Sequence, residues 1–264
     1  MWTLTFAALL VLLVVLMGRD RIKRFPWFTA SIVLVALRLL TNRLLHDKLP
    51  QLTMATIAIS LADLSVLVSL AVLVEMARRA FKKAGALAWT GWTLGLLALG
   101  GVVLWKWGPW PAWKAIAFDT TIAKLQFMQL IAVKAGLLAD VLSIALGLLV
   151  VALGRRYGAG WHSHVQRIMI GLSTASIAQM GAQGIWEIIA HHTTPHSQSE
   201  YERVLGIHDK LLNTNSAVYV IVLIWWIGCL WIDEPGTAAL ESGSSEAPVR
   251  EYLDASETAD GPES

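Results

Sequence analysis

Apolar residues run through this chain in long stretches, and charged residues, glycines and prolines cluster at wide intervals between them. A bilayer core of about 30 Å requires roughly 17 to 25 mainly apolar residues per helix. Divided at its polar punctuation, the chain yields seven segments of that kind: 2–17, 26–45, 53–76, 86–106, 124–153, 165–191 and 209–232. The pattern predicts an all-α fold, a polytopic bundle of seven transmembrane helices occupying residues 1–232. The fifth and sixth segments exceed the minimum length and would tilt or project beyond the lipid. The first segment has no basic stretch before it; GRDRIKR follows it and no small-residue cleavage pattern intervenes, so it reads as a retained span.

Composition agrees with lipid as the solvent. Hydrophobic residues make up 56% of the chain and charged residues 15%, against about 25% charged in a soluble domain; the mean hydropathy is +0.58. One cysteine, Cys229, excludes an intrachain disulfide framework. The net charge of +2 conceals a split, because from Asp233 onward nine acidic residues face Arg250 alone. Residues 233–264 have too little apolar content to offset their ordering entropy and read as an acidic, disordered cytoplasmic tail. A short helix around Val249 to Leu253 would suit a cytoplasmic protein partner.

Basic residues set the orientation. Arg19, Arg21, Lys23 and Arg24, then Arg78, Arg79, Lys82 and Lys83, then Arg155, Arg156 and Arg167 alternate along the chain. The positive-inside rule places these connections in the cytoplasm of a bacterial inner membrane, with the N-terminus outside and the tail inside. Topology and anionic lipid account for these loops, and nucleic-acid binding is not required. Thirteen tryptophans suit interfacial anchoring: Trp27, Trp89, Trp92 and Trp161 near predicted inner ends, and Trp105, Trp107, Trp110 and Trp113 in the outer connection.

At RFPWF (24–28), VEMARR (74–79), GRRYGAGW (154–161) and HSHVQRIMIGLSTAS (162–176), the chain resembles a group of seven-helix bacterial membrane proteins, many acidobacterial. The resemblance implies architecture and inner-membrane residence. No activity is established for that group, so it carries over no catalytic or binding residue.

Ionisable side chains near mid-bilayer cost about 2.5 to 3.5 kcal/mol on insertion scales and call for a partner or a wet cavity. Arg38 lies twelve residues beyond Pro26, and Asp63 about ten into the next, oppositely directed span. Both fall close to the midplane at 1.5 Å per residue. An Arg38–Asp63 ion pair is therefore expected, as a structural clamp or a relay. Lys134 and Asp140 stand some 120° apart on the fifth span and cannot pair locally; Glu187 of the sixth is the expected counter-ion of Lys134.

The sixth span carries a polar stripe of Ser173, Ser176, Gln179, Gln183, Glu187 and His191, confined to one arc of the helix. His208, Asn215 and Tyr219 share a face of the seventh. With Gln126, Gln129 and Lys134 of the fifth, these residues would line one outward-opening polar pocket, or hydrogen-bond helix to helix as interior glue. Glu187 would be its titrating member. In GAQGIWEIIAHHTTPH (181–196), Glu187 and His191 share a face and, with His208, offer three metal ligands. His192 points elsewhere, Pro195 ends the helix before His196, and no HExxH arrangement exists, so an interfacial cap is the simpler reading. His162 and His164 in WHSH read as two solvated histidines of an inner interfacial loop at the opposite end.

Gly91 and Gly95 of GWTLG permit close helix approach, within the chain or between two copies of it as a homo-oligomer. Phosphate-binding glycine loops, nucleophile elbows, kinase signatures and dinucleotide fingerprints are absent, and no cofactor is implied. The sequence therefore favours a non-enzymatic sensor of a small ligand or of protons, or a membrane scaffold. A transporter working through Arg38, Asp63, Lys134 and Asp140 is the alternative from a second class, and a metal-dependent membrane hydrolase the third.

Overall fold

The computed structural model describes residues 1–45, 48–82, 86–107, 121–157, 163–193 and 197–233. All regular structure among them is helical. In chain order the helices are α1 (Trp2–Gly18), α2 (Arg21–Arg24), α3 (Pro26–Leu45), α4 (Gln51–Ala80), α5 (Ala86–Lys106), α6 (Thr121–Tyr157), α7 (His164–His192) and α8 (Gln198–Trp231). Met1–Trp231 form one compact unit and Ile232–Ser264 divide from it as a second. The predicted acidic tail, apart from Asp233, lies outside the described residues, as do Trp110, Trp113, Trp161, His162, Pro195 and His196.

Each of the seven predicted segments corresponds to one long helix. Four are long and apolar enough to cross a membrane: α3, α4, Thr121–Leu153 of α6, and α8. The other three differ for separate reasons. At 17 residues α1 is only about 25 Å long, the described apolar part of α5 is Thr90–Lys106, and the 29 residues of α7 carry the polar stripe. Large apolar side chains stand exposed on the outward faces of nearly every long helix, among them Val14, Leu37, Leu67, Leu94, Leu148, Ile177 and Ile221. Apolar surface on that scale belongs in lipid rather than water.

Two helix starts follow from local chemistry. Ser163 accepts the Gln166 N–H at 3.3 Å, and Ser197 accepts the Glu200 N–H at 3.3 Å. Both are the Ser-x-x-Glu/Gln arrangement that supplies an acceptor to an otherwise unsatisfied amide in the first turn. The second cap begins α8 eleven residues before the predicted span, because polar residues such as Glu202 and Arg203 lie on helix that the apolar pattern alone does not reveal.

Contacts between α1 and α3, α3 and α4, α4 and α6, α6 and α7, α7 and α8, and α8 and α1 close the long helices into a ring, and α5 packs outside it on α6. The two halves of the ring are built differently. Toward the end that carries Arg19, Arg24, Arg79 and Arg167, a dry core joins Leu12 and Leu16 of α1, Phe28 of α3, Met76 of α4, Val150 of α6, Ile168 and Met169 of α7, and Trp226 of α8. The Glu75 carboxylate, 8% exposed, pins this end. It accepts the backbone N–H groups of Trp27 at 3.2 Å and Phe28 at 3.3 Å and pairs with Arg79 at 3.3 Å. A carboxylate at the start of α3 satisfies amides that have no partner inside the helix and meets the positive end of its dipole. The Arg79 guanidinium lies 5.0 Å over the ring of buried Phe25, and Phe28 meets Trp226 edge-on at 5.0 Å. RFPWF and VEMARR therefore come together in this packing.

Glycine permits the tightest approaches. A Cβ on Gly171 would stand 2.3 Å from the Trp226 indole nitrogen, and one on Gly147 would meet the Ser173 hydroxyl at 1.8 Å. Among the described residues nothing lies within 4 Å of a Cβ built on Gly91 or Gly95, so packing among them does not account for that pair. Gly100 fills the intramolecular role on α5, against Leu138 of α6.

Replacing Glu75 by Gln should lower stability in detergent by about 2 kcal/mol, since charge-assisted bonds to two amides and a guanidinium are weakened together. Thermal unfolding of the purified protein checks this. By the same assay Gly171→Ala should cost about 1–3 kcal/mol through overpacking against Trp226, whereas Gly95→Ala should lie within about 0.5 kcal/mol of the unmodified protein.

Candidate functional site: a polar chamber and its vestibule

The other half of the ring is open. A cavity of about 590 Å³ lies between α3, α4, α6 and α7. Its α4 wall carries a stripe of small residues, Ala55, Ala58, Ala62, Ser65 and Ser69, repeating every three or four positions, beside the larger Ile59, Val66, Val72 and Leu73. Small side chains on one helical face hold the wall back and leave volume. Polar groups enter from the other helices: Ser31 and Arg38 from α3, Gln129, Asp140 and Ser143 from α6, and Ser176, Gln179 and Gln183 from α7. From Ala55 to Leu73 this wall extends about 27 Å along the helix axis.

A second cavity, of about 510 Å³, adjoins the first and is lined by Trp107, Gln126, Lys134, Trp186 and Glu187. Gln129, Val133, Leu137 and Gln183 line both. The larger space is called the chamber and the smaller one, adjoining it away from the Glu75 end, the vestibule. A further hollow of about 440 Å³ between α5, α6 and α7 shares Trp107 and Glu187 with the vestibule.

The α7 stripe faces α6, α8 and these spaces, and its members have distinct partners. Ser173 donates to the Ser143 carbonyl at 2.9 Å, at the crossing opened by Gly147. Ser176 donates to the Asp140 carboxylate at 2.8 Å. Gln179 accepts a hydrogen bond from the Asn215 amide. Gln183 lines both cavities, and Glu187 lines the vestibule. His191, at the end of α7, is exposed.

Of the residues expected in one pocket, Gln126, Gln129, Lys134, Gln183 and Glu187 do come together in the vestibule. Those of α8 do not line it. His208 packs against Trp186, ring centroids 4.3 Å apart; Asn215 is spent on Gln179; and Tyr219 packs against the dry core. Their shared face meets α7 and the core, so they support the wall from behind.

The two expected ion pairs are absent among the described residues, again for reasons of direction. Phe28 lies beside Glu75, so ten residues along each antiparallel helix bring Arg38 to the level of Ser65, and depth would allow an Arg38–Asp63 pair. Ala62 and Ser65, however, hold the chamber face of α4, and Asp63 is rotated 100° from Ala62 toward the outward apolar side. Arg38 instead shares the chamber with Asp140. Lys134 lines the same vestibule as Glu187, but its ammonium donates to the Trp107 carbonyl, just beyond α5, where carbonyls lack intrahelical partners and a cation is favoured.

No group of three or more His, Cys, Asp or Glu side chains that could hold a metal ion occurs among the described residues. Glu187, His191 and His208 are not brought together as a ligand set. Serine and alanine at chamber spacing on α4 were the overlooked signal of the site, visible as a small-residue stripe yet easily read as close packing. In comparisons with protein-family models, curated proteins and solved structures, nothing matches the chain.

The Gln179–Asn215 bond should behave as a coupled pair. Asn215→Leu leaves the Gln179 carbonyl unpaired and lowers stability, and Gln179→Leu in the same chain recovers part of the loss. A double-mutant cycle on thermal unfolding should give a coupling of about 0.6 to 1.7 kcal/mol.

Proposed function

We propose that this chain is a seven-span protein of a bacterial inner membrane, N-terminus outside, that receives a small polar ligand from the outer side and acts as a sensor rather than an enzyme. The adjacency of vestibule and chamber, which share Gln129, Val133, Leu137 and Gln183 in their walls, carries this reading. An isolated clamp of polar residues would fill its own space; this one encloses volume beside hydroxyls, amides, Arg38 and Asp140. Ionisable groups that face a cavity inside a membrane protein mark ligand or ion sites by default.

The position of α7 suits signalling. It supplies Ser176, Gln179 and Gln183 to the chamber and Ile168, Met169 and Gly171 to the dry core, where Gly171 abuts Trp226 near the end of α8. Ligand-dependent movement of α7 would be passed to α8 and so to the acidic segment that follows it, which would engage a cytoplasmic partner. Transport is the second reading, favoured by the depth to which the chamber descends along α4. It requires the Phe25, Phe28 and Trp226 packing to part.

Single cysteines in a Cys229→Ser background test the site in intact spheroplasts. A charged, membrane-impermeant thiol reagent should label Gln183→Cys and Glu187→Cys from outside. It should not label Ile177→Cys or Ile188→Cys, whose native side chains are 56% and 63% exposed on the apolar face and would lie in lipid. Labelling of the first pair only after the cytoplasmic side is opened would overturn the proposed orientation; no labelling from either side would overturn the wet cavity.

A further inference from the structure

Arg38 and Asp140 are the charged residues that line the chamber. They do not pair with each other among the described residues. Arg38 has no ion-pair or hydrogen-bond partner there, and Ser176 occupies only one oxygen of the Asp140 carboxylate. Ser143, one turn further along the same face of α6, lines the chamber and is 5% exposed, and its buried hydroxyl has no hydrogen-bond partner among the described residues. The chamber thus holds one open cation, one half-occupied anion and one unpartnered buried hydroxyl.

Their separation follows from helix register. Arg38 lies at the level of Ser65 by the count from Glu75, and Gly136 of α6 lies against Val66. Asp140 is four residues beyond Gly136, about 6 Å further toward the Glu75 end. Arg38 and Asp140 therefore stand apart along the axis as well as on different helices.

We propose that the chamber binds a small zwitterion, its carboxylate on Arg38 and its ammonium group on Asp140, with the two charges held several bonds apart. A simple anion in this space would leave Asp140 unmatched, a simple cation would leave Arg38 unmatched, and a neutral occupant would match neither. A zwitterion satisfies both and leaves the wall neutral. The guanidinium offers a planar pair of donors to a carboxylate, and Ser143 extends the Asp140 end by one hydroxyl. The axial offset favours an ω-amino acid over an α-amino acid. This assignment rests on the reading of the chamber as a binding site open to the outside.

The test is equilibrium binding of radiolabelled 4-aminobutyrate to the full chain in lipid nanodiscs, with competition by glycine, β-alanine, 6-aminohexanoate, butyrate and butylamine. The zwitterions of intermediate length should compete at least about tenfold better than butyrate or butylamine. Arg38→Gln and Asp140→Asn should each weaken 4-aminobutyrate binding by about tenfold or more. Ser143→Ala, a milder change that should leave folding intact, should weaken it by about threefold. Equal competition by butyrate, with Asp140→Asn silent, would overturn the zwitterion in favour of an anion site. Absence of saturable binding by any ω-amino acid, with Gln183→Cys still labelled from outside, would overturn the ligand class while leaving the open chamber in place. Absence of both would remove the chamber reading itself.

Discussion

A single carboxylate organises one end of this bundle. Glu75 reaches from α4 to the first amides of α3 and is held in turn by Arg79, whose guanidinium covers Phe25. In a membrane, helices gain nothing from hiding apolar faces that lipid would cover equally well, so association depends on close packing and polar contacts between helices. Glu75 provides such a contact where it also meets unsatisfied amides. It sets how far α3 stands along α4, and that register decides which α3 residues reach the chamber.

The dry half and the open half of the ring are two consequences of side-chain size. Phe25, Phe28, Met76 and Trp226 fill the space near Glu75, with Gly171 allowing the indole to approach α7. Further along, alanines and serines on α4 face alanine and glycine on α6, and the same helices enclose a void. A void of this size lined by hydroxyls, amides and two charged groups is suited to water or a polar ligand, because an unhydrated ionisable group would carry a large desolvation cost. Packing on one side of the ring thereby supports volume on the other.

The helical segments, their lipid-facing character and the clustering of polar residues on one face of α7 are legible in the sequence, since each depends on residues neighbouring one another in sequence or along one helix. Five vestibule residues were legible on the same ground: Gln126, Gln129 and Lys134 share the part of α6 away from Glu75, and Gln183 and Glu187 that of α7. What could not be read was rotation about neighbouring helix axes. Depth alone made Arg38 and Asp63 partners, and a rotation of 100° between Ala62 and Asp63 separates them. His208, Asn215 and Tyr219 do share a face, but that face meets Trp186, Gln179 and the dry core. Glu75 drew no notice because a carboxylate among basic residues at a helix end looks like one more solvated charge.

By itself, the sequence determined an all-helical chain with spans suited to lipid and a polar face on α7, because composition and 3.6-residue periodicity are properties of one segment at a time. The tertiary structure alone decided that Arg38 and Asp140 line one chamber, that Lys134 turns to the Trp107 carbonyl, and that small residues on α4 bound a cavity. Those outcomes depend on the azimuth and register between helices, which a linear pattern of apolar residues leaves free because lipid accepts any apolar face equally.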